Sequence, residues 1–227
     1  MYSGVFLCLS ALAHLLVVLP GLNSIYNQML AQNQNLFRWL EYSLSAAVMH
    51  VMIAQLAGVT EVHLIYCLFG LSSSTMFYGW LMEKLNGQRI PTFSLSEDGS
   101  EEPTQQRPYE RQMISDAYPP TSSKNDEAVD WSPFILGFIP HAFCWTVIFC
   151  YFFVGVRASS PPAFVWAIIF IVFALDLLFA VNQLLQFLQV KGWRGFGAAE
   201  FYYILLSITA KQLLAWINFG GTLRFKN

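Results

Sequence analysis

From Phe134 to Val156 the chain runs for 23 residues without a single Asp, Glu, Lys or Arg. No other feature constrains the fold as much. A bilayer offers no water to backbone N–H and C=O groups, so an apolar run of about twenty residues is stable there only as a helix. Comparable runs recur along the chain. They predict an all-α, polytopic membrane helical bundle with six spans, at about 4–22, 37–58, 61–84, 132–156, 163–190 and 199–223. Charged residues make up 11% of the chain, against about 25% in soluble domains. Those charges are concentrated. The segment from Gly87 to Asp130 holds nine of the fourteen acids and four of the twelve bases.

The connections read as punctuation between spans. Pro20-Gly21 ends the first, and an Asn/Gln-rich connector, NSIYNQMLAQNQN, follows. A tight turn at Gly58–Thr60 joins the second and third, RASSPP the fourth and fifth, KGWRGFG the fifth and sixth. Residues 87–131, rich in Pro, Ser, Glu and Asp, have the composition of a disordered loop. That loop is either a docking or phosphorylation segment or a tolerated insertion. The first run lacks a basic n-region and an A-x-A-like exit, so it is expected to be a span and not a signal peptide. Basic flanks set orientation. Arg38, Lys84, Arg89, Lys191 and Arg194 collect on one side, Arg157, Arg224 and Lys226 on the other. This weak bias puts the long loop in the cytoplasm and both termini outside.

The four cysteines, Cys8, Cys67, Cys144 and Cys150, all fall inside apolar runs with no CxxC spacing, which suggests packing residues rather than disulfides or metal ligands. There is no nucleophile motif, metal-ligand cluster or phosphate loop, so no enzyme is expected. Nothing points to nucleic acid.

Ionisable side chains inside the spans are the informative residues, because they are costly in hydrocarbon and pair within the bundle. These are His14, Glu41, Asp176 and Lys211. Lys211 has no acid within seven residues, so its simplest partner is Glu41 from the second span. Arg38 and Glu41 share a helix face, and Ser45 lies one turn beyond Glu41. Ser207 lies one turn before Lys211, and Ser10 one turn before His14. Three helices thus present polar stripes that converge. The same pattern suits a Lys–Glu pair that merely joins helices, with serines bonded to their own backbones. Mid-span aromatics such as Phe138, Trp145, Phe149, Phe173 and Phe179 either pack, face lipid or line a slot for a long apolar ligand. A lysine in such a slot can form a Schiff base with a carbonyl compound. Once protonated, that Schiff base needs a buried anion, which Glu41 could supply.

Two of these stretches carry a resemblance to the heliorhodopsin family. RWLEYSLS at 38–45 resembles its third-helix motif. LLSITAKQLLAW at 205–216, continued by FGGT at 219–222, resembles its seventh-helix motif, and SALAHLL at 10–16 resembles the second helix. The resemblance implies a seven-helix rhodopsin-like architecture and a light-sensing function. It implies all-trans retinal on Lys211 as a protonated Schiff base, Glu41 as counterion with Arg38 one turn before it, and His14, Ser10, Ser45 and Ser207 around the Schiff base. It implies a sensor and not a pump, with a cytoplasmic signalling partner. A homodimer stays open as an option. Retinal and the lipid bilayer are the other expected partners. Six spans are visible where the resemblance implies seven, and the one not represented corresponds to the family's first helix. The alternative is a non-photoactive transporter or structural membrane protein.

Overall fold

The computed structural model describes residues 2–89, 93–95, 101–103, 128–193 and 195–224. Helices form at all six expected positions: α1 (Tyr2–Val18), α3 (Leu36–Leu56), α4 (Val62–Asn86), α5 (Ser132–Ala158), α6 (Ala163–Phe187) and α7 (Phe196–Arg224). A further helix, α2 (Leu22–Ala31), occupies the Asn/Gln-rich connector and leaves α1 at 90°. It buries no residue. Its asparagines are weak helix formers, which is why composition suggested a plain connector. Within 87–131, Gly87–Arg89 form a 3₁₀ turn, and Phe93–Leu95 pair antiparallel with Glu101–Pro103. Most of the expected disordered loop lies outside the described residues, as do Arg194, the Arg224 side chain and Lys226.

α3 is the axis of the bundle. It packs against α1, α4, α5 and α6. Apolar residues fill its second half, with Ala47, Met52, Ile53 and Ala54 buried, while its first half buries Arg38, Glu41, Ser43 and Ser45. Its end is a turn at Gly58, whose φ of 105° disfavours any residue with a Cβ. The main core gathers Phe6, Ile53, Leu68, Ile148, Phe152, Ile168 and Leu214 from six helices. α5 and α6 meet through rings. Phe152 stands edge-on to Trp166 at 4.6 Å, and Trp145 to Phe173 at 5.0 Å. Pro140 lies inside α5 and leaves the Leu136 carbonyl without its intrahelical donor.

Three helices, α4 with its 3₁₀ extension, α5 and α6, are long and apolar enough to cross a membrane on their own, and α1 and α2 pass the same test only when taken together across their 90° bend. α3 and α7 fall below that apolarity. They carry the buried polar residues, Arg38, Glu41, Ser45, His50 and Lys211, that face the bundle and not lipid. The apolar helices make the chain an integral, multi-pass membrane protein.

Candidate functional site

Lys211 of α7 is buried, at 6% exposure, and its ammonium group donates to Glu41 Oε1 of α3 at 2.8 Å. It also donates to Ser207 Oγ, one turn earlier on its own helix, at 2.8 Å. Glu41 Oε1 accepts a second bond, from Ser10 Oγ of α1, at 2.5 Å. Three helices thus meet at one carboxylate oxygen, and a buried cation is neutralised and hydrogen-bonded at once. That is the condition under which a buried ion pair holds. The ring of Tyr42 lies 5.2 Å from the Lys211 ammonium, and Tyr42 Oη donates to the Tyr203 carbonyl at 3.0 Å.

The other expected residues are placed differently. Ser45 is buried on the same side of α3, but its hydroxyl has no hydrogen-bond partner among the described residues. His14 is exposed and makes no hydrogen bond among the described residues. It lines a second cavity with Glu41, Arg38, Tyr26 and Glu200. Arg38 shares the face of Glu41 but pairs elsewhere. Its guanidinium binds Glu83 of α4 and Glu200 of α7. Asn35 completes that cluster, with its side chain capping the Arg38 N–H at 3.0 Å and its own N–H donating to Glu83 at 3.1 Å. Arg38 is therefore an interior, ion-paired residue and not a flank charge at the membrane surface, which removes it from the orientation argument.

Sequence reasoning missed Glu200, His50 and His141. Glu200 sits at the start of the last span and looks like a flank residue. His50 lies nine residues past Glu41, half a turn off its face at about 100° per residue, outside any i, i+4 stripe. Both histidines lie within apolar spans, and the rule that singled out His14 applies to them equally.

Lys211 forms part of the wall of an interior cavity. Trp39, Tyr42, Met49, Met76, Phe138 and Phe179 line it, with Ser45, Thr75, His141, Asp176, Gln183 and Ser207 among its polar groups. A mostly apolar lining with a few placed polar groups is the usual make-up of a small-molecule pocket. Of the mid-span aromatics, Phe138 and Phe179 do line a slot, while Phe143, at 61% exposure, faces outward.

The fold and the site define a polytopic membrane protein with an ion-paired lysine at the wall of an apolar interior cavity. The family model described as Heliorhodopsin matches residues 1–98 and 114–223, and the chain belongs to the heliorhodopsin family. It is accordingly a retinal-binding, light-responsive membrane protein. The stretch left unmatched, 99–113, is narrower than the expected insertion of 87–131. None of the curated proteins matches the chain. The residues present fit a retinal chromophore: a buried lysine, a carboxylate on it, an apolar slot alongside, and a buried hydroxyl, Ser45 Oγ, left without a partner in its wall.

Proposed function

We propose that this protein is a light sensor that holds all-trans retinal on Lys211, with Glu41 as the counterion. The observation that carries this reading is the Lys211–Glu41 contact at 2.8 Å in the wall of an apolar cavity. Retinal bound as a protonated Schiff base supplies visible absorption and a light-driven isomerisation. The chain's own residues do the rest. Glu41 holds the positive charge in place, and Ser10 and Ser207 fix the carboxylate and the lysine relative to each other. Ser45 offers a hydroxyl to whatever fills the cavity. His14 stands beyond Glu41 across the second cavity and is positioned to receive a proton from the carboxylate side. Arg38 acts at one remove, fixing the start of α3 through Glu83 and Glu200.

Pumping requires proton donors and acceptors strung toward both surfaces, and the acids available in the spans are already committed. Glu83 and Glu200 are bound to Arg38, and Asp176 to His50. This supports a sensor over a pump; in this reading the helix movement passes to a cytoplasmic partner, and the remaining basic flanks, Lys84, Arg89, Lys191 and Arg194, are the reason for putting the long loop on the cytoplasmic side and both termini outside.

The test is reconstitution of the full chain with all-trans retinal. A visible band that disappears in Lys211→Ala supports the reading. Absence of a band in folded wild-type protein refutes it and leaves the Lys211–Glu41 pair as a joint between helices.

A further inference from the structure

α6 carries one acid inside its apolar stretch, Asp176, and the lysine site does not use it. Its Oδ2 accepts from His50 Nε2 of α3 at 2.8 Å and from Trp145 Nε1 of α5 at 3.0 Å. The other ring nitrogen of His50, Nδ1, lies 3.0 Å from the Ala46 carbonyl oxygen and 2.8 Å from Ser72 Oγ of α4. His50 is 3% exposed. Four helices therefore converge on one imidazole–carboxylate contact.

The protons on this contact follow from the partners. Nδ1 faces two oxygens, the Ala46 carbonyl, which only accepts, and the Ser72 hydroxyl, which can donate or accept; a hydrogen on Nδ1 satisfies both contacts, with the hydroxyl as acceptor. An indole N–H only donates, so Oδ2 must accept from Trp145. An oxygen that takes hydrogen bonds from two sides is best suited to be a carboxylate, and then Nε2 carries a hydrogen as well. Both ring nitrogens are donors, which makes the ring an imidazolium. His50 and Asp176 together are neutral, and their internal hydrogen bonds meet the requirement for a buried pair.

The pair is oriented toward the cavity. Asp176 lines the same cavity as Lys211, whereas His50 stands behind it and does not reach the wall. The exposed end of the pair is its negative one. It is also set apart from the lysine end, since His50 lies nine residues from Glu41 on α3, a rise of about 13.5 Å. His141 of α5 lines the cavity on this side too, and its Nε2 is buried without a hydrogen-bond partner among the described residues. Cys144 of α5 also lies within electrostatic reach of Asp176.

We propose that His50 and Asp176 form an imidazolium–carboxylate pair in the wall of the Lys211 cavity, and that its carboxylate sets the colour of the chromophore held there. This rests on the retinal reading given above. The physical basis is charge displacement. A protonated polyene Schiff base carries its positive charge at the nitrogen in the dark, and excitation moves that charge along the chain. A carboxylate near the lysine end favours the ground state, as Glu41 does. One placed farther along favours the excited state and lowers the photon energy. Asp176 opposes Glu41 in this sense, so removing it moves the band to the blue.

The experiment has two arms. In the first, the full chain without retinal carries ¹⁵N-labelled histidine, with the His50 signal assigned by its loss in His50→Gln. Two protonated ring nitrogens in wild type, falling to one in Asp176→Asn, support the pair. A neutral His50 ring in wild type overturns it. In the second arm, the chain is loaded with all-trans retinal and the absorption maximum is recorded. A blue-shifted band in Asp176→Asn supports the colour role, and an unmoved band overturns it. Should Asp176→Asn not fold, His50→Gln supplies the second reading. A carboxylic-acid C=O stretch then appears in the infrared with the same blue shift, and the absence of both overturns the proposal. A wild-type chain that forms no band refutes the retinal reading and the colour role with it, while the first arm still decides on the pair.

Discussion

Arg38→Met removes the guanidinium and keeps an apolar stem of similar reach. In the wild-type fold Arg38 is 7% exposed and Glu83 fully buried. Arg38 binds Glu83 and Glu200, and its guanidinium carbon lies 4.0 Å from the Tyr203 ring centroid and 4.9 Å from that of Trp39. After the substitution Glu83 keeps the Asn35 backbone N–H but loses its cation. Breaking a buried pair from one side costs about 3–5 kcal/mol, because the remaining charge is uncompensated. The cation–π contacts do not add to this independently, since they share the same atoms. At about 2–4 °C per kcal/mol for a chain of this size, the melting temperature falls by roughly 6–20 °C. Tryptophan emission during thermal unfolding of the detergent-solubilised, retinal-free protein measures it, so the result does not depend on pigment formation. Adding Glu83→Gln to Arg38→Met recovers part of the loss, because the charge left behind is removed. A melting temperature within about 2 °C of wild type in Arg38→Met would refute the reasoning.

Three further outcomes are expected. Glu41→Gln keeps an acceptor for Ser10 but withdraws the anion from Lys211; left without its anion, the Schiff base of the retinal-loaded variant gives up its proton at neutral pH and absorbs farther to the blue, and a halide that takes the anion's place restores the protonated, visible form, so an unmoved band across a pH titration counts against Glu41 as counterion. Gly79→Ala places a Cβ about 2.3 Å from the Trp39 ring, which is wedged between Tyr42 and Tyr203; overpacking of this kind costs about 1–3 kcal/mol, read as a lower melting temperature that Trp39→Phe partly restores. The Ser132 hydroxyl and backbone N–H at the start of α5 hold the Asp130 carboxyl below its usual range; a depressed acid stabilises the fold above its unfolded value of about 3.9 and loses that effect as pH falls through its folded value, so Asp130→Asn melts earlier than wild type at pH 7, and the difference shrinks as the pH is lowered into the acid range.

The lysine–carboxylate contact was legible because apolar spans leave few ways to neutralise a charge. With Lys211 isolated on its helix and Glu41 the one acid in the second span, burial alone forces them together. The serine stripes followed from helical periodicity, and two of them, Ser10 and Ser207, do close on the pair. Periodicity along one helix does not say which helix ends meet. For that reason Arg38 read as a neighbour of Glu41, when its partners come from the far end of α4 and the near end of α7. The same limit hid His50, which points away from Glu41 into the space between α4, α5 and α6. Asp176 stood out as a spare acid, but its partner depended on how four helices pack. α2 was missed for a local reason: its turn at Gly21, φ 84°, redirects the chain and lets a polar sequence continue as helix outside the core.

The short turn between α3 and α4 bears on how this protein enters a membrane at all. α3 taken alone is a poor substrate for insertion, with Arg38, Glu41 and His50 along its length. α4 follows after only the residues 57–61, and it carries a partner for each end of α3: Ser72 for His50 and Glu83 for Arg38. The two helices can therefore enter the membrane as a hairpin, with Arg38 and His50 already met by α4 and Glu41 left to wait for Ser10 of α1 and Lys211 of α7. Glycosylation mapping of nascent chains puts this to the test. Chains ending after α3 should fail to integrate, chains ending after α4 should succeed, and Glu83→Ala together with Ser72→Ala should return the longer chain to the behaviour of the shorter.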